Sequence, residues 1–250
     1  MLNEEFCEEA IRLVKLAQQN NIPLRVMGAI AIRIHCPKYR HLLDRFQRNI
    51  TDIDFMTYGR YNSQVYDFFK KQGYVIDPAI FAFYGDKRHI WYEKNNRWVV
   101  DVFFDKLEMN HIIDFQKRLE LDFPTITLAD LLLEKMQIVK INEKDVQDTC
   151  VLLREHDVGN LEEETINGKR IAKVLSDDWG FYYTVTMNLK KVKEYQTSVL
   201  SEEDRKDISK KIDKLLELIE KEPKSGRWKR RAKAGTKKKW YTEVASKRIF

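Results

Sequence analysis

Cysteine is scarce in this sequence and isolated where it occurs. Cys7, Cys36 and Cys150 are the three in 250 residues, with no C-x-x-C spacing. That argues against a disulfide framework or a cysteine zinc site and suits a reducing compartment. The five histidines (His35, His41, His89, His111 and His156) also lack metal-ligand spacing and are read as structural. No apolar run reaches the roughly 20 residues that span a bilayer. The acidic opening MLNEEFCEEA has none of the apolar core of a signal peptide. The expectation is a cytoplasmic protein with no membrane partner. No internal repeat is present.

What is abundant is charge, and it is unevenly spread. Charged residues make up 34% of the chain, and the net charge is +6. Twelve of the last thirty residues are Lys or Arg against two Glu, so the preceding body is acidic on balance. The basic character belongs to the C-terminal segment. Along the body, Phe6, Ala10, Leu13, Val14 and Ala17 recur at the spacing of one helical face. LRVMG reads as a buried strand that passes at Gly28 directly into a helix. TDIDFMT alternates as a strand, and NSQVYDFFKKQG reads as a helix stopped by Gly73. Three strand-like runs follow: YVI with IFAFYG, RHIWYE, and RWVVDVFF. Hairpin turns are expected at Gly85-Asp86 and Lys94-Asn95-Asn96. From Thr127 the pattern turns helical, with helices expected at 127–141, 144–156, 165–176, 179–199 and 202–221. TLAD and SEED carry the form of capping boxes. The expected organisation is an α/β (α+β) domain over 1–125, a helical domain over 126–222 and a basic aromatic tail over 223–250.

The chemistry concentrates in acidic residues. In a strand, residues i and i+2 point the same way about 7 Å apart, so Asp52 and Asp54 project together while Ile53 and Phe55 face the core. Either they end in solvent, or a divalent cation compensates their repulsion. Mg²⁺ takes hard oxygen ligands, few from protein and the rest from water and phosphate. Asp101 interrupts WVVDVFF, a run that looks covered on both faces. An ionised carboxylate there needs a metal or an ion pair, for which Arg97, four positions earlier, is the candidate. Gly28, at a strand-to-helix turn, lets backbone approach a phosphate at a helix N-terminus.

Glycine turn, D-x-D strand and a later strand with a third Asp: over residues 20–105 this resembles the DNA-polymerase-β-type nucleotidyltransferase superfamily. The resemblance implies a nucleotidyltransferase fold with a short mixed sheet flanked by helices, followed by an all-helical C-terminal region. It implies Asp52 and Asp54 as ligands of two Mg²⁺ ions, and Asp101 as third ligand or as base on the attacking hydroxyl. An NTP is the implied substrate. Ala29 stands where the superfamily has Gly or Ser, so no hydroxyl serves a phosphate there. The stretch from Gly28 to Asp52 is long, with an extended helix and loop expected around PKYRHLLDRFQRN.

In the helical half, Lys135 lies within the apolar stripe of its helix and needs an anion or a route to water. Asp145 and Asp148 share a face of the next helix, with ordinary surface charge as the plain reading. Lysine followed by Lys144-Asp145 and Asp148 resembles the AbiE-type toxin nucleotidyltransferases, though Thr149 replaces their leucine. That implies phosphate contact for Lys135 and a site-lining position for Asp148, without extending to toxin activity. Asp177, Asp178, Trp179, Tyr182 and Tyr183 read mainly as packing between helices. The tail RWKRRAKAGTKKKWYTEVASKRIF is either a solubilising extension or a segment contacting an RNA acceptor. In the second case its cations would neutralise phosphates while Trp228, Trp240 and Tyr241 stack on bases. Two functions follow: Mg²⁺-dependent transfer of a nucleoside monophosphate to an acceptor hydroxyl, or a protein that keeps the fold and only binds nucleotide or RNA. Ala29 favours the second.

Overall fold

The structure, a computed structural model, describes residues 2–95 and 97–243. Asn96 of the expected hairpin turn and residues 244–250 of the basic tail lie outside the described residues. In chain order the first part runs α1 (Leu2–Gln19), β1 (Arg25–Met27), α2 (Gly28–His35), α3 (Arg40–Arg45), β2 (Ile53–Thr57), α4 (Asn62–Lys71), β3 (Tyr74–Ile76), α5 (Pro78–Tyr84), β4 (Arg88–Glu93) and β5 (Val99–Phe104). Short strands β6 (Lys106–Glu108) and β7 (Ile112–Asp114) follow. The remainder is α6 (Leu128–Met136), α7 (Glu143–Glu155), β8 (Asp157–Gly159), β9 (Thr165–Asn167), α8 (Gly168–Leu175), α9 (Trp179–Glu194), α10 (Glu202–Lys221) and α11 (Gly226–Ala234). The chain divides into two compact units. One comprises 1–37, 47–107 and 114–127; the other 38–46, 108–113 and 128–250.

The first unit is built on a five-stranded mixed sheet in the order β1-β2-β5-β4-β3. β2 and β5 are parallel, and the other neighbours are antiparallel. β5 is central and buries Val100, Val102, Phe103 and Phe104. The expected stripe of α1, from Phe6 to Ala17, is buried as a set. Each such Val or Leu contributes about 1.5–3 kcal/mol relative to exposure. On the outer side of β1 the chain returns after residue 123. Val26 donates to the Pro124 carbonyl and Ile126 donates to the Val26 carbonyl, both at 3.0 Å, which covers that sheet edge.

IFAFYG is not a strand. It lies in α5, because the Asp77 side chain accepts hydrogen bonds from the backbone N–H groups of Ala79 and Ile80 and Pro78 occupies the first turn. Gly85 is therefore the C-cap of α5 rather than part of a hairpin turn. The apolar run reads as a strand because of its aromatics, but local capping decides otherwise. Gly73, by contrast, stands just past α4 with φ of +85°, a left-handed stop suited to glycine.

The second unit is largely helical rather than wholly so, since β8 and β9 pair in parallel. The helix expected at 165–176 starts at Gly168, where Asn167 caps it by accepting from the Arg170 N–H. The helix expected to reach 141 stops at Met136. There Asn188 donates its amide to the carbonyls of Met136 and Ile138, at 2.9 and 2.8 Å. The helix expected to reach 199 ends at Glu194. The capping box at Ser201 and Asp204 is formed in full. None of the helices is long and apolar enough to cross a membrane, among the described residues.

Candidate active site

Gly28 ends β1 and opens α2 with φ of +69°, a conformation that costs an L side chain about 1–2 kcal/mol. Steric need reinforces the choice of residue. A Cβ at this position would lie 2.8 Å from Asp54 Oδ2. The Asp54 carboxylate thus packs directly against the glycine Cα at the N-terminal end of α2, where the helix dipole favours negative charge. Ala29, the second residue of α2, is half-buried.

Asp54 is on β2 opposite Met27 of β1 and, across the other edge, opposite Asp101 of β5. Directly paired residues of neighbouring strands project to the same face, so the Asp54 and Asp101 side chains stand side by side. Ile53 and Phe55 are buried on the reverse face, as the alternation predicts. Asp52 precedes the strand and is half-buried, with the Thr51 hydroxyl donating to its Oδ1 at 3.1 Å.

Asp101 is 3% exposed, and it is held by Arg88 rather than by the expected Arg97. Arg88 Nε donates to Oδ1 at 2.8 Å, and Nη2 makes a second short charge-assisted bond to Oδ2. Arg97 instead pairs with Glu5 at 2.8 Å and stacks on Trp98. β4 runs antiparallel to β5 with Ile90 opposite Asp101, and Arg88, two residues before, shares that face. No pattern within RHIWYE marks Arg88 as the partner. Only the strand register finds it. Burial opposes the charge on Arg88, but the hydrogen bond and charge of Asp101, with the fields of Asp54 and Asp52, outweigh it and hold the guanidinium above its usual pKa. Arg88 therefore senses all three carboxylates.

The donor set is oxygen only, which suits Mg²⁺. Among the described residues no three acidic, histidine or cysteine side chains converge into a closed metal cage. Mg²⁺ does not require one, because it is commonly held by one or two carboxylates with water and substrate phosphate completing the shell. Asp52 and Asp54 meet that need in chemical type.

Lys135 and Asp148 belong to the second unit. Lys135 Nζ lies 3.0 Å from Asp148 Oδ2 and 3.2 Å from Asp145 Oδ1. Asp148 is fully buried and Lys135 nearly so. The lysine in the apolar stripe thus finds its anions on α7, and Asp148 is a buried ion-pair partner rather than a surface charge. Cys150, two residues after Asp148 on α7, has its thiol pushed up to about 12 by burial, which leaves it inert as a nucleophile.

The tail tryptophans are packed on α9. Trp228 meets Tyr182 edge-on at 5.1 Å, and Trp240 meets Tyr183 at 5.2 Å. Trp179 stacks on Tyr183 within α9, whereas Tyr182 against Trp228 of α11 is the packing between helices expected of this region. No protein-family model, no curated protein and no solved structure matches this chain.

Proposed function

We propose that this chain is a Mg²⁺-dependent nucleotidyltransferase of the polymerase-β type. It would move a nucleoside monophosphate from an NTP to an acceptor hydroxyl, with RNA the favoured acceptor, and release pyrophosphate. One observation carries the reading: the parallel register sets Asp54 beside Asp101, with the Gly28 turn packed against Asp54. Three distant segments bring a glycine corner and carboxylates to one face of the sheet. The cytoplasmic setting fits three cysteines that are all free thiols.

Asp52 and Asp54 are the residues that would hold Mg²⁺, two ions being expected. Bound there, Mg²⁺ supplies neutralisation of phosphate charge and activation of the acceptor oxygen. The chain's own groups do the positioning. The Gly28 turn allows a phosphate to approach backbone N–H groups without a side chain in the way. Arg88 fixes the direction of the Asp101 carboxylate, which stands beside Asp54. Catalysis of this kind is mainly placement and electrostatics.

A second reading, a protein that binds nucleotide without transfer, is favoured by the Arg88 clamp and by Ala29. In that reading the guanidinium is a permanent counter-ion for the acidic cluster. Pyrophosphate release from each NTP, measured with total RNA and with or without Mg²⁺, separates the two. Transfer requires Mg²⁺-dependent release that Asp54→Asn abolishes. Nucleotide binding with no release supports the second reading.

A further inference from the structure

Residues 225–243, the described part of the basic segment, are folded, and their side chains are sorted by chemistry. Ser225 starts α11 by accepting from the Trp228 N–H at 3.1 Å, and its own N–H donates to the Ser176 carbonyl at 2.9 Å. Trp228 packs on Tyr182, and Arg231 lies over Trp179 at 4.9 Å. Arg231 also closes the following turn, donating to the carbonyls of Gly235 and Lys238, each at 2.8 Å. Trp240 donates its indole N–H to Thr184 at 3.1 Å. A Cβ at Gly180 would meet the Trp240 carbonyl at 2.3 Å, so that glycine admits the strap's backbone. Asn110 and Thr242 exchange two hydrogen bonds, of 2.7 and 3.0 Å, at the far end.

Trp228 and Trp240 are thus packed on α9 and Tyr241 meets Trp240 edge-on at 5.3 Å, while most of the cations are exposed. Lys229, Arg230, Lys233, Lys237 and Lys238 are exposed, and among the described residues they carry no ion pair. No large apolar side chain of 225–243 is exposed, so nothing here would enter a bilayer. A rigid array of lone cations with sequestered rings suits a polyanion whose charges are discrete and regularly spaced.

We propose that residues 225–243 form an ordered cationic strap that binds RNA through its phosphates, without stacking on its bases. The choice of RNA rests on the transfer reading above; the cation array does not. This replaces base stacking by Trp228, Trp240 and Tyr241 with phosphate contact alone.

The test is fluorescence anisotropy with the full-length chain, in EDTA and without NTP. The probes are a labelled mixed-sequence 20-nucleotide RNA, oligo(A), oligo(U), the matching DNA, and vesicles of phosphatidylcholine with phosphatidylserine. Equal affinity for the RNAs within about threefold is expected, with a steep loss of affinity as salt rises. Substituting Lys229, Arg230, Lys233, Lys237 and Lys238 together by Gln should weaken binding at least about tenfold and flatten the log–log salt slope by about 3 to 4. A five-Arg counterpart should retain binding, which controls for folding. Strong base preference, an unchanged salt slope, tighter binding to DNA, or binding to vesicles but not to RNA would each overturn the strap. Asp54→Asn should leave RNA affinity intact. If the parent chain binds RNA but shows no Mg²⁺-dependent pyrophosphate release, the transfer reading alone falls; if it releases pyrophosphate but does not bind RNA, the strap alone falls.

Discussion

Arg88 of β4 grips Asp101 of β5 with both edges of its guanidinium, and Asp101 in turn stands beside Asp54 of β2. A buried carboxylate on a central strand is tolerated because a fork-shaped cation answers it. The same cation also feels the charges of Asp54 and Asp52. This geometry ties the stability of the sheet to the chemistry proposed for it.

Arg88→Ala should destabilise the protein by about 3 kcal/mol, since it strips a buried carboxylate of its charged partner. If Asp52, Asp54 and Asp101 accept divalent cations, millimolar Mg²⁺ or Mn²⁺ should raise the melting temperature of this variant more than that of the parent. Thermal denaturation with and without metal reads both effects. An identical metal response in the two proteins would count against a cation site at this cluster.

Gly28→Ala should cost at least about 1–2 kcal/mol, from the left-handed backbone alone. The added methyl would also displace the Asp54 carboxylate, which lies 2.8 Å from the position of that Cβ. Urea denaturation measures the first effect, and Mn²⁺ affinity by calorimetry measures the second. A variant equal to the parent in both would show that neither the positive φ nor the close approach matters.

Lys135→Met should destabilise by about 3 kcal/mol, because it leaves Asp148 buried without the ammonium 3.0 Å away. Lys135→Met with Asp148→Leu, which removes both charges, should recover much of that loss. A double variant no better than the single one would mean that Lys135 owes its importance to something other than this ion pair.

Acid should weaken both units, through His89 in the first and His111 in the second. Burial lowers each imidazole to about 4, in His111 against the opposing field of Asp178. The folded state disfavours the protonated ring, so this contribution is fully present above the unfolded value of about 6.5. It is lost as pH falls from there through about 4, by up to about 3 kcal/mol for each histidine. Denaturation midpoints at pH 7, 5.5 and 4 should fall in that order. His111→Gln should flatten the decline, and a decline of the same steepness would assign the acid sensitivity to other groups.

Local order was legible in the sequence wherever one segment determines its own conformation. The stripe of α1, the passage from β1 to α2 at Gly28, the alternation of Ile53, Asp54 and Phe55 on β2, and the Ser201–Asp204 cap all depend on periodicity, glycine freedom or side-chain reach over a few residues. The same logic reached too far at IFAFYG, where the Asp77-Pro78 cap outweighed aromatic content. Tertiary structure alone decided the partners. Asp101 could have turned to Arg97 nearby in the chain, but the β4–β5 register brought Arg88 to it. Lys135 found Asp145 and Asp148 only because α6 packs on α7, and the tail tryptophans found the tyrosines of α9. Backbone period is a local property, whereas the pairing of buried charges and rings depends on which strands and helices become neighbours. Long-range packing sets that choice, and no short pattern of residues encodes it.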